Sequence, residues 1–253
     1  MKAVILAAGV GSRLAPLTNE QPKVLVPVLG RSLLFRQLDW LALAGIRSED
    51  VVVVGGYRID QLSAQLAAAG FNCKVVLNEK FDTWGNFYSV LVAEPYLRGH
   101  AFLQLDGDVI LDDKILPRMV ADPRDAVLAT DTSAELDDDA MKVQLDDAGR
   151  VIGLDKKTLD PAKCVGEYIG VTKLSASAGA AVFRELGKFP GEGLTHEYYD
   201  HSYHRLSLRN EVPFGIVKVD DCRVLEIDDH ADLARAEGVL RTSPAVGEHR
   251  VSV

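Results

Sequence analysis

A short apolar strand that runs directly into a glycine-rich loop opens the chain and most constrains its fold. Val4, Ile5 and Leu6 form a continuous apolar run, which is typical of a strand covered on both faces in a parallel α/β sheet. Small residues follow at once, among them Gly9 and Gly11, and they allow backbone N–H groups to approach phosphate oxygens closely. The opening residues therefore predict an α/β protein with a phosphate-binding loop after its first strand.

Two cations follow this loop, and their types suit polyphosphate chemistry. The planar guanidinium of Arg13 can contact two phosphate oxygens, whereas the ammonium of Lys23 is a compact charge suited to a phosphorus under attack. The loop does not fit a dinucleotide fingerprint, because Leu14 occupies the third glycine position and Pro16 follows it. It also lacks the Gly-Lys-Ser/Thr of a P-loop. A surface turn with two solvated cations is the alternative interpretation.

Composition and charge argue against several classes of protein. The 253 residues are 47% hydrophobic and carry a formal net charge of -9, which allows a sizeable core and argues against nucleic-acid binding. Cys73, Cys164 and Cys222 are widely spaced and form no CxxC pair, so neither a disulfide framework nor a zinc site is indicated. No apolar stretch approaches the length of a membrane span, and we expect a cytoplasmic protein without a membrane partner. The pattern does not indicate an oligomeric state.

Apolar runs that alternate with helical segments predict a doubly wound α/β fold with a mixed, mostly parallel sheet. The predicted strands are 51–54, 75–77, 102–105 and 126–129, and the predicted helices are 33–44, 59–69, 88–97, 175–186, 196–206 and 229–240. We expect one domain over residues 1–240. Two short strands around a polar turn after residue 135 predict a small mixed α/β insertion over the pocket, at 135–210. Residues 241–253 are expected to form a loosely ordered tail.

Acidic residues follow two of the apolar runs and predict a metal site. Asp106 and Asp108 come directly after the predicted strand 102–105, and Glu226, Asp228 and Asp229 follow another apolar run. Carboxylates at the carboxyl end of a parallel strand point into the crevice where α/β folds bind ligands. A triphosphate carries about four negative charges, so a carboxylate beside it makes sense with a divalent cation between them. A plain Asx turn is the alternative, and the choice between Asp228 and Asp229 as metal ligand stays open.

These motifs carry a resemblance to a known family. The segments LAAGVGSRLAPLT, PKVLVPVLG and SLL resemble the signature of the sugar-phosphate nucleotidylyltransferases. EIDD with the helix that follows it, GNFYSVLVAEPYL, MKVQLDDAGRVIGLDKK and GEYIGVTKLS are similar to the phosphocholine and phosphonate cytidylyltransferase branch. The resemblance implies a Rossmann-like nucleotidyltransferase fold. It also implies a magnesium-dependent transfer of CMP from CTP to a small phosphonate or phosphorylated alcohol, such as 2-aminoethylphosphonate, phosphonoformate or phosphocholine, with release of pyrophosphate.

The same resemblance implies roles for individual residues. Arg13 would contact the leaving pyrophosphate, Lys23 the transferred or the attacking phosphate, and Lys156 the acceptor phosphate. The expected nucleotide-binding residues are Leu6, Ala7, Ala8, Gly9, Val10, Gly11, Ser12, Asn86, Ser89 and Asp106. The expected acceptor-binding residues are Lys142, Glu167, Tyr168, Gly170, Tyr198 and His201. The expected ligands of Mg2+ are Asp108 and Asp228. For Lys142 and Lys156, solvated charges on a strand are the alternative.

Three interpretations of the acceptor segment, residues 196–205, stay open. The first is an aromatic cage for the quaternary ammonium of phosphocholine, built from Trp84, Tyr168, Tyr198 and Tyr199. The second is a cationic lining that suits an acceptor with an extra carboxylate or hydroxyl, built from His196, His201, His204 and Arg205. The third is an amphipathic helix whose polar face lies in water.

Two other functions also stay open. A hexose-1-phosphate nucleotidylyltransferase that makes a nucleoside diphosphate sugar shares the N-terminal signature, but the short chain, the EIDD ending and the GEYIG segment favour the cytidylyltransferase branch. A nucleotide-sensing module without catalysis would usually have lost one of its charged site residues. Arg13, Lys23, Asp108 and Asp228 are all present, which favours an enzyme.

Overall fold

A nine-stranded mixed sheet organises the fold in the computed structural model, which describes residues 1–242. The strands are β1 (Lys2–Ala7), β2 (Pro27–Val28), β3 (Arg31–Ser32), β4 (Val51–Gly55), β5 (Lys74–Leu77), β6 (Phe102–Asp106), β7 (Val109–Leu111), β8 (Ala126–Asp131), β9 (Lys142–Leu145), β10 (Val151–Asp155), β11 (Gly166–Leu174), β12 (Gly215–Lys218) and β13 (Val224–Glu226). The helices are α1 (Leu33–Leu43), α2 (Ile59–Ala68), α3 (Phe87–Leu97), α4 (Ile115–Ala121), α5 (Ala176–Leu186), α6 (Asp200–Leu208) and α7 (His230–Thr242). Within this part of the chain, no helix combines the length and apolar character that a bilayer span requires.

The parallel centre of the sheet has the strand order β6, β1, β4, β5. β1 pairs with β4 on one side and with β6 on the other, so Leu6 lies opposite both Val54 and Asp106. The chain order therefore reverses between β1 and β6. In open α/β sheets, ligands bind outside the carboxyl ends of the strands at such a reversal. The topology places a crevice beside the glycine-rich loop and beside Asp106.

Two hydrophobic cores cover the two faces of the sheet. Successive residues of β1 alternate between them, since Ile5 belongs to the core with α1, α2, α4 and α7, whereas Val4 belongs to the core with α3, α5 and α6. Val53 and Val52 of β4 alternate in the same way. Strands buried on both faces are what the continuous apolar runs predict, and the doubly wound α/β fold is confirmed.

Local signals place most helix ends close to their predicted positions. Ser32 caps α1 because its hydroxyl accepts the N–H of Phe35 at 3.3 Å. Gly70 follows α2 with a φ of 77°, as the predicted C-terminal cap requires. α6 begins at Asp200, four residues later than predicted. α4 is missing from the prediction, because its seven residues include Pro117 and are too few to show a helical period.

The segment predicted as an insertion over the pocket contains a strand of the main sheet. β9 and β10 form the predicted hairpin, with Asp146 and Gly149 in its turn. β11 pairs with β6, β8 and β9, so one end of β11 extends the central sheet and the other end supports the hairpin. The last helix reaches Thr242, which corrects the first two residues of the predicted tail. Residues 243–253 lie outside the described residues.

Candidate active site

A cavity of about 600 Å³ lies at the carboxyl ends of β1 and β6. It is lined by the sequence-predicted residues Leu6, Ala8, Gly9, Arg13, Asn86, Ser89, Asp106, Asp108, Lys156, Glu167, Tyr168, Gly170, Tyr198 and Asp228. The predicted residues that do not line it are Ala7, Val10, Gly11, Ser12, Lys23, Lys142 and His201. Lys23 still belongs to the site, because its ammonium contacts two of the lining carboxylates.

The glycine-rich loop packs on the side chain of Lys23. Gly11 has a φ of 69°, and a Cβ atom at this position would lie 2.8 Å from Cβ of Lys23, so any larger residue would be strained and too close. The hydroxyl of Thr18 donates to the carbonyl of Gly11 at 2.8 Å. The buried side chain of Leu14 anchors the 3-10 turn that follows. The loop therefore covers Lys23 and leaves Arg13 exposed at the cavity.

Lys23 bridges two carboxylates that come from distant parts of the chain. Its Nζ lies 2.8 Å from Oδ2 of Asp108 and 2.7 Å from Oδ1 of Asp228. Arg13 contacts the other oxygen of Asp228 at 2.8 Å. Burial by itself lowers the pKa of Lys23, but Asp108 and Asp228 outweigh it and the net shift is upward. The ammonium therefore stays charged in the site.

Three carboxylates form a cluster beside Lys23. Asp108, Glu226 and Asp228 each place one oxygen within 4.8 Å of the others. Glu226 reaches the cluster because β13 pairs with β7, which begins directly after Asp108. Burial, and then the charges of Asp108 and Asp228, raise the pKa of Glu226 to about 7. Three converging carboxylate oxygens suit a hard divalent cation such as Mg2+, and Glu226 adds a candidate ligand to the predicted pair.

Asp228 and Asp229 serve different purposes although they are adjacent. Asp228 lines the cavity and contacts Lys23. Asp229 is not among the lining residues, and its Oδ1 accepts the N–H groups of Ala231 and Asp232 at 2.7 and 3.0 Å. These bonds cap the start of α7. The geometry therefore favours Asp228 as the metal ligand.

Polar side chains around the start of α3 line another wall of the cavity. The carbonyl oxygen of the Asn86 side chain accepts the N–H of Tyr199 at 2.9 Å, which ties α3 to the segment before α6. Asn78 donates from Nδ2 to the hydroxyl of Ser89 at 2.9 Å and is 1% exposed. The sequence prediction missed Asn78. The signal for it is a polar residue directly after β5, at the same edge of the sheet as Asp106.

Buried tyrosines hold Asp106 at the end of β6. The hydroxyl of Tyr199 donates to Oδ2 of Asp106 at 2.7 Å and lies 3.1 Å from the hydroxyl of Tyr168. Burial, and then the charge of Asp108, raise the pKa of Asp106, and the Tyr199 hydrogen bond opposes this shift. Gly170 has a φ of 75°, and a Cβ there would lie 2.7 Å from Oδ2 of Asp106. Strand β11 can therefore approach Asp106 only with glycine at this position.

The cavity wall formed by β8, β10 and β11 is acidic. Asp131 and Glu167 lie opposite each other on β8 and β11, and Asp139 and Asp200 also line the cavity. Lys156, directly after β10, lowers the pKa of both Glu167 and Asp200, although burial raises both values more strongly. Among the described residues, Lys156 is the cation that lines this wall. This end of the cavity therefore carries an excess of carboxyl groups.

The predicted cationic lining is not found at the cavity. None of the four residues concerned lines it: His196, His201, His204 and Arg205. His196 lines an adjoining pocket that shares Trp84, Asn86 and Tyr198 with this cavity. Arg205 pairs with buried Glu185 at 2.7 Å. The ring of His204 accepts the N–H of Leu154 at 3.0 Å. α6 buries one face, as the third interpretation expects of an amphipathic helix. The four aromatic residues of the first interpretation all line the cavity: Trp84, Tyr168, Tyr198 and Tyr199.

Lys142 supports the hairpin and does not reach the cavity. Its side chain is 2% exposed, and Nζ donates to the carbonyl oxygens of Lys156 and Ala140 at 2.6 and 3.3 Å. These bonds hold the backbone from which the side chain of Lys156 enters the cavity. Side chains alternate between the faces of a strand, and a lysine is usually placed on the wet face. Lys142 can lie on the buried face of β9 because two carbonyl groups accept hydrogen bonds from its ammonium.

Asp200→Asn is expected to stabilise the protein at pH 8 and to change little at pH 4. Burial raises the pKa of Asp200 from 3.8 to about 7, so the folded state keeps a proton that the unfolded chain releases. The free energy of unfolding that the bound proton contributes is fully present below pH 3.8, the pKa in the unfolded chain. It is lost as the pH rises through about 7, the pKa in the folded state. Asparagine has no such charge, and its Tm should exceed that of the wild type at pH 8 by roughly 2–4 °C. Thermal unfolding at pH 4, 6 and 8 measures this, and a difference independent of pH would contradict it.

The comparison with protein families decides the relationship. The model of the MobA-like NTP transferase domain matches residues 3–183. The chain belongs to this family. The matched residues contain the glycine-rich loop, Arg13, Lys23 and Asp108, so the predicted nucleotidyltransferase relationship is confirmed. The carboxylates Glu226 and Asp228 lie beyond the matched range, and their assignment depends on their convergence with Asp108.

Individual relatives include cytidylyltransferases. The CMP-5'-(3-aminopropyl)phosphonate synthase of Streptomyces rubellomurinus is 29% identical over 99% of this chain and 40% of its own length. The choline-phosphate cytidylyltransferase of Streptococcus pneumoniae is 34% identical over 42% of this chain and 45% of its own length. Glucose-1-phosphate thymidylyltransferases also match. The matches cover less than half the length of each of the first two relatives, at 40% and 45%.

A solved structure confirms the fold. The CTP:phosphocholine cytidylyltransferase from Streptococcus pneumoniae superposes with a TM-score of 0.78, over 94% of this chain and 98% of its own, at 23% identity. At this identity the likeness shows the fold alone. The predicted Rossmann-like nucleotidyltransferase fold is therefore confirmed.

Proposed function

We propose that this chain transfers CMP from CTP to a small phosphonate or phosphorylated alcohol that carries an amino group, and releases pyrophosphate. The observation that carries the proposal is the ammonium of Lys23, held between Asp108 and Asp228 at the reversal point of the sheet and next to Arg13. This arrangement puts cations for phosphate groups and oxygen ligands for a metal in one cavity. CTP as the nucleotide is supported by the names of the phosphonate and choline-phosphate relatives.

We propose Mg2+ as the cofactor, held by Asp108, Asp228 and Glu226. The fit rests on the donor set, since three carboxyl groups converge, and burial together with the charges of Asp108 and Asp228 raises the pKa of Glu226 to about 7. When bound, a divalent cation would neutralise and orient the phosphate oxygens. Binding would also favour the ionised form of Glu226, so we expect metal affinity to rise between pH 6 and 8.

The chemistry needs positioning and charge neutralisation rather than a base. A phosphonate or phosphate oxygen is already anionic at neutral pH, so it attacks the α-phosphorus of CTP directly while the bond to the β-phosphate oxygen breaks. In our proposal, Lys23 offsets the repulsion between the two anions at the transferred phosphate, and Lys156 does so at the acceptor. Arg13 stabilises the departing pyrophosphate. No covalent intermediate with the chain forms.

The acidic wall favours an acceptor with an ammonium group. A carboxylate on the acceptor would lie against Glu167, Asp131 and Asp200, whereas a primary ammonium has three N–H donors for such groups. Tyr168 and Tyr199 line the cavity with their hydroxyl groups hydrogen-bonded. Phe81, Trp84 and Tyr198 are the other aromatic side chains in the lining. We propose that residues 135–210 select the acceptor within one nucleotidyltransferase domain over residues 1–240.

Aminoalkylphosphonates are therefore expected to exceed phosphonoformate in kcat/KM by about 100-fold or more. The measurement is the initial rate of pyrophosphate release with 2-aminoethylphosphonate, 3-aminopropylphosphonate, phosphocholine and phosphonoformate. Glu167→Gln serves as the matched variant, because it removes one charge of the wall and should narrow the ratio. A preference for phosphonoformate in the wild type would contradict the assignment of the wall.

Hexose-1-phosphate nucleotidylyltransferase is the second candidate, and the matches to glucose-1-phosphate thymidylyltransferases are the observation that favours it. Crossing CTP, UTP, GTP, ATP and dTTP against these acceptors and glucose 1-phosphate separates the two functions. Release of pyrophosphate with CTP and an aminophosphonate supports the first. Release with glucose 1-phosphate and UTP or dTTP supports the second, and no release with any pair would favour a binding module.

A further inference from the structure

We propose that Arg235 is a second binding residue for the pyrophosphate end of the nucleotide, an inference that rests on the proposed function. Arg235 lies in α7 and lines the same cavity as Arg13 and Asp228. The sequence prediction gave it no role, and it lies outside the residues matched by the family model. Its position, its partner and the charges around it carry the proposal.

The two cations already assigned to the phosphates are occupied by carboxylates. Lys23 contacts both Asp108 and Asp228, and Arg13 contacts Asp228. A triphosphate brings about four further negative charges. The carboxylate cluster also takes up part of the charge of any bound divalent cation. The phosphates therefore require an additional cation that can release its own carboxylate partner. Among the described residues that line the cavity, Arg235 is such a cation, and it comes from the same C-terminal segment as Asp228.

The guanidinium of Arg235 can move away from Asp232, and Asp232 still keeps its other hydrogen bonds. Its Nη2 lies 3.0 Å from Oδ1 of Asp232, and its side chain is 59% exposed. The other oxygen of Asp232 accepts the N–H groups of Asp228 and Asp229 at 3.0 and 3.1 Å. These backbone bonds keep Asp232 in place when the guanidinium turns to a ligand. Exposed ion pairs of this kind contribute little to stability, so they oppose the movement only weakly.

Two contacts hold α7 against the N-terminal part of the chain, one just after Arg13 and one in the turn between β2 and β3. The Nε2 atom of His230 lies 2.8 Å from the carbonyl oxygen of Ala15. Further along the helix, Glu237 accepts the N–H of Leu29 at 3.4 Å. The start of the helix that carries Arg235 is therefore attached to the chain just after the glycine-rich loop, which is the side of the cavity where we place the phosphates. A planar guanidinium there can contact two phosphate oxygens at once.

The test compares Arg235→Gln with Arg235→Lys and with Arg241→Gln as a matched control. Arg241 lies in the same helix, pairs with Glu237 at 3.5 Å and does not line the cavity. Arg235→Gln is expected to raise the KM for CTP and the inhibition constant of pyrophosphate by about tenfold. The KM of the acceptor and the Tm should stay unchanged. Arg235→Lys should lie between, because it keeps the charge but not the planar fork.

Each outcome decides one question. If the wild type is active and Arg235→Gln leaves both CTP and pyrophosphate constants unchanged, the proposal for Arg235 is overturned. A rise confined to the acceptor KM also overturns it, because the residue would then serve the other phosphate group. If the wild type shows no turnover with any pair, the proposed function fails. Calorimetric titration of wild type and Arg235→Gln with pyrophosphate and Mg2+ then still tests the binding role, and equal affinities would reject it.

Discussion

Asp108→Asn and Asp228→Asn should each lower turnover by about 1000-fold at saturating Mg2+. Each change keeps the size of the side chain and removes one carboxylate from the cluster that Lys23 bridges. The Tm should change by only a few degrees, because the remaining carboxylate still pairs with Lys23 while the repulsion around Glu226 falls. Rates of pyrophosphate release over a series of Mg2+ concentrations give kcat and the metal requirement for each variant.

Asp229→Asn is the matched control for this experiment. Asp229 is next to Asp228 but caps α7, and asparagine caps a helix about as well as aspartate. Its turnover should stay close to that of the wild type. Near-normal turnover of Asp108→Asn at saturating Mg2+ would show that the cluster is not the metal site. A loss in Asp229→Asn equal to that in Asp228→Asn would contradict the separation of the two residues.

Lys23→Met should also abolish most turnover, and in addition should destabilise the fold. The change leaves Asp108, Asp228 and Glu226 close together without the ammonium that bridges two of them. Removing one partner of a largely buried ion pair costs about 3–5 kcal/mol, which corresponds to a Tm lower by roughly 6–20 °C. We expect Mg2+ to restore part of the Tm, because it can take the place of the ammonium between the carboxylates. Turnover should not recover.

Lys173→Met is the control that separates the Mg2+-dependent change in Tm of Lys23→Met from the general cost of losing a buried lysine. Lys173 is 6% exposed, and its ammonium donates to the carbonyl oxygen of Asp122, away from the cavity. It should lose stability without a change in the KM of either substrate, and its Tm should not respond to Mg2+. If the Tm of Lys23→Met is equally insensitive to Mg2+, the carboxylates do not share a cation, and the proposed metal site is contradicted.

The parts of the site that depend on short-range signals are predicted well from the sequence. A strand, a glycine-rich loop and Arg13 follow one another within the first thirteen residues, so their arrangement needs no long-range information. Asp106 and Asp108 are placed by the strand that precedes them. Both groups lie at the carboxyl ends of parallel strands, which topology alone brings to one edge of the sheet.

The parts that depend on pairing between distant segments could not be predicted in detail. Lys23 lies between carboxylates that are 85 and 205 residues away along the chain, and no local pattern shows that it is buried there. Glu226 joins the cluster because β13 pairs with β7, two three-residue strands whose pairing the sequence does not reveal. Arg235 is likewise brought to the cavity by the packing of α7.

Side-chain direction is the other source of error. The periodicity of α6 shows that it is amphipathic, but it does not show that Arg205 turns to Glu185 and away from the cavity. A strand pattern places Lys142 on one of two faces, and only the structure shows the two carbonyl groups that accept its ammonium. A cationic lining was therefore one of three interpretations that the sequence left open, whereas the structure lines this end of the cavity with Asp131, Glu167 and Asp200.

The most direct test of the proposed function is to identify the product formed from CTP and 3-aminopropylphosphonate. Phosphorus NMR of the reaction with Mg2+ distinguishes the new anhydride between the CMP phosphate and the phosphonate from free pyrophosphate. We expect both products in equal amounts, and neither when a chelator removes the metal. Formation of a sugar nucleotide from glucose 1-phosphate and UTP or dTTP, with no CMP-phosphonate from CTP, would contradict the account.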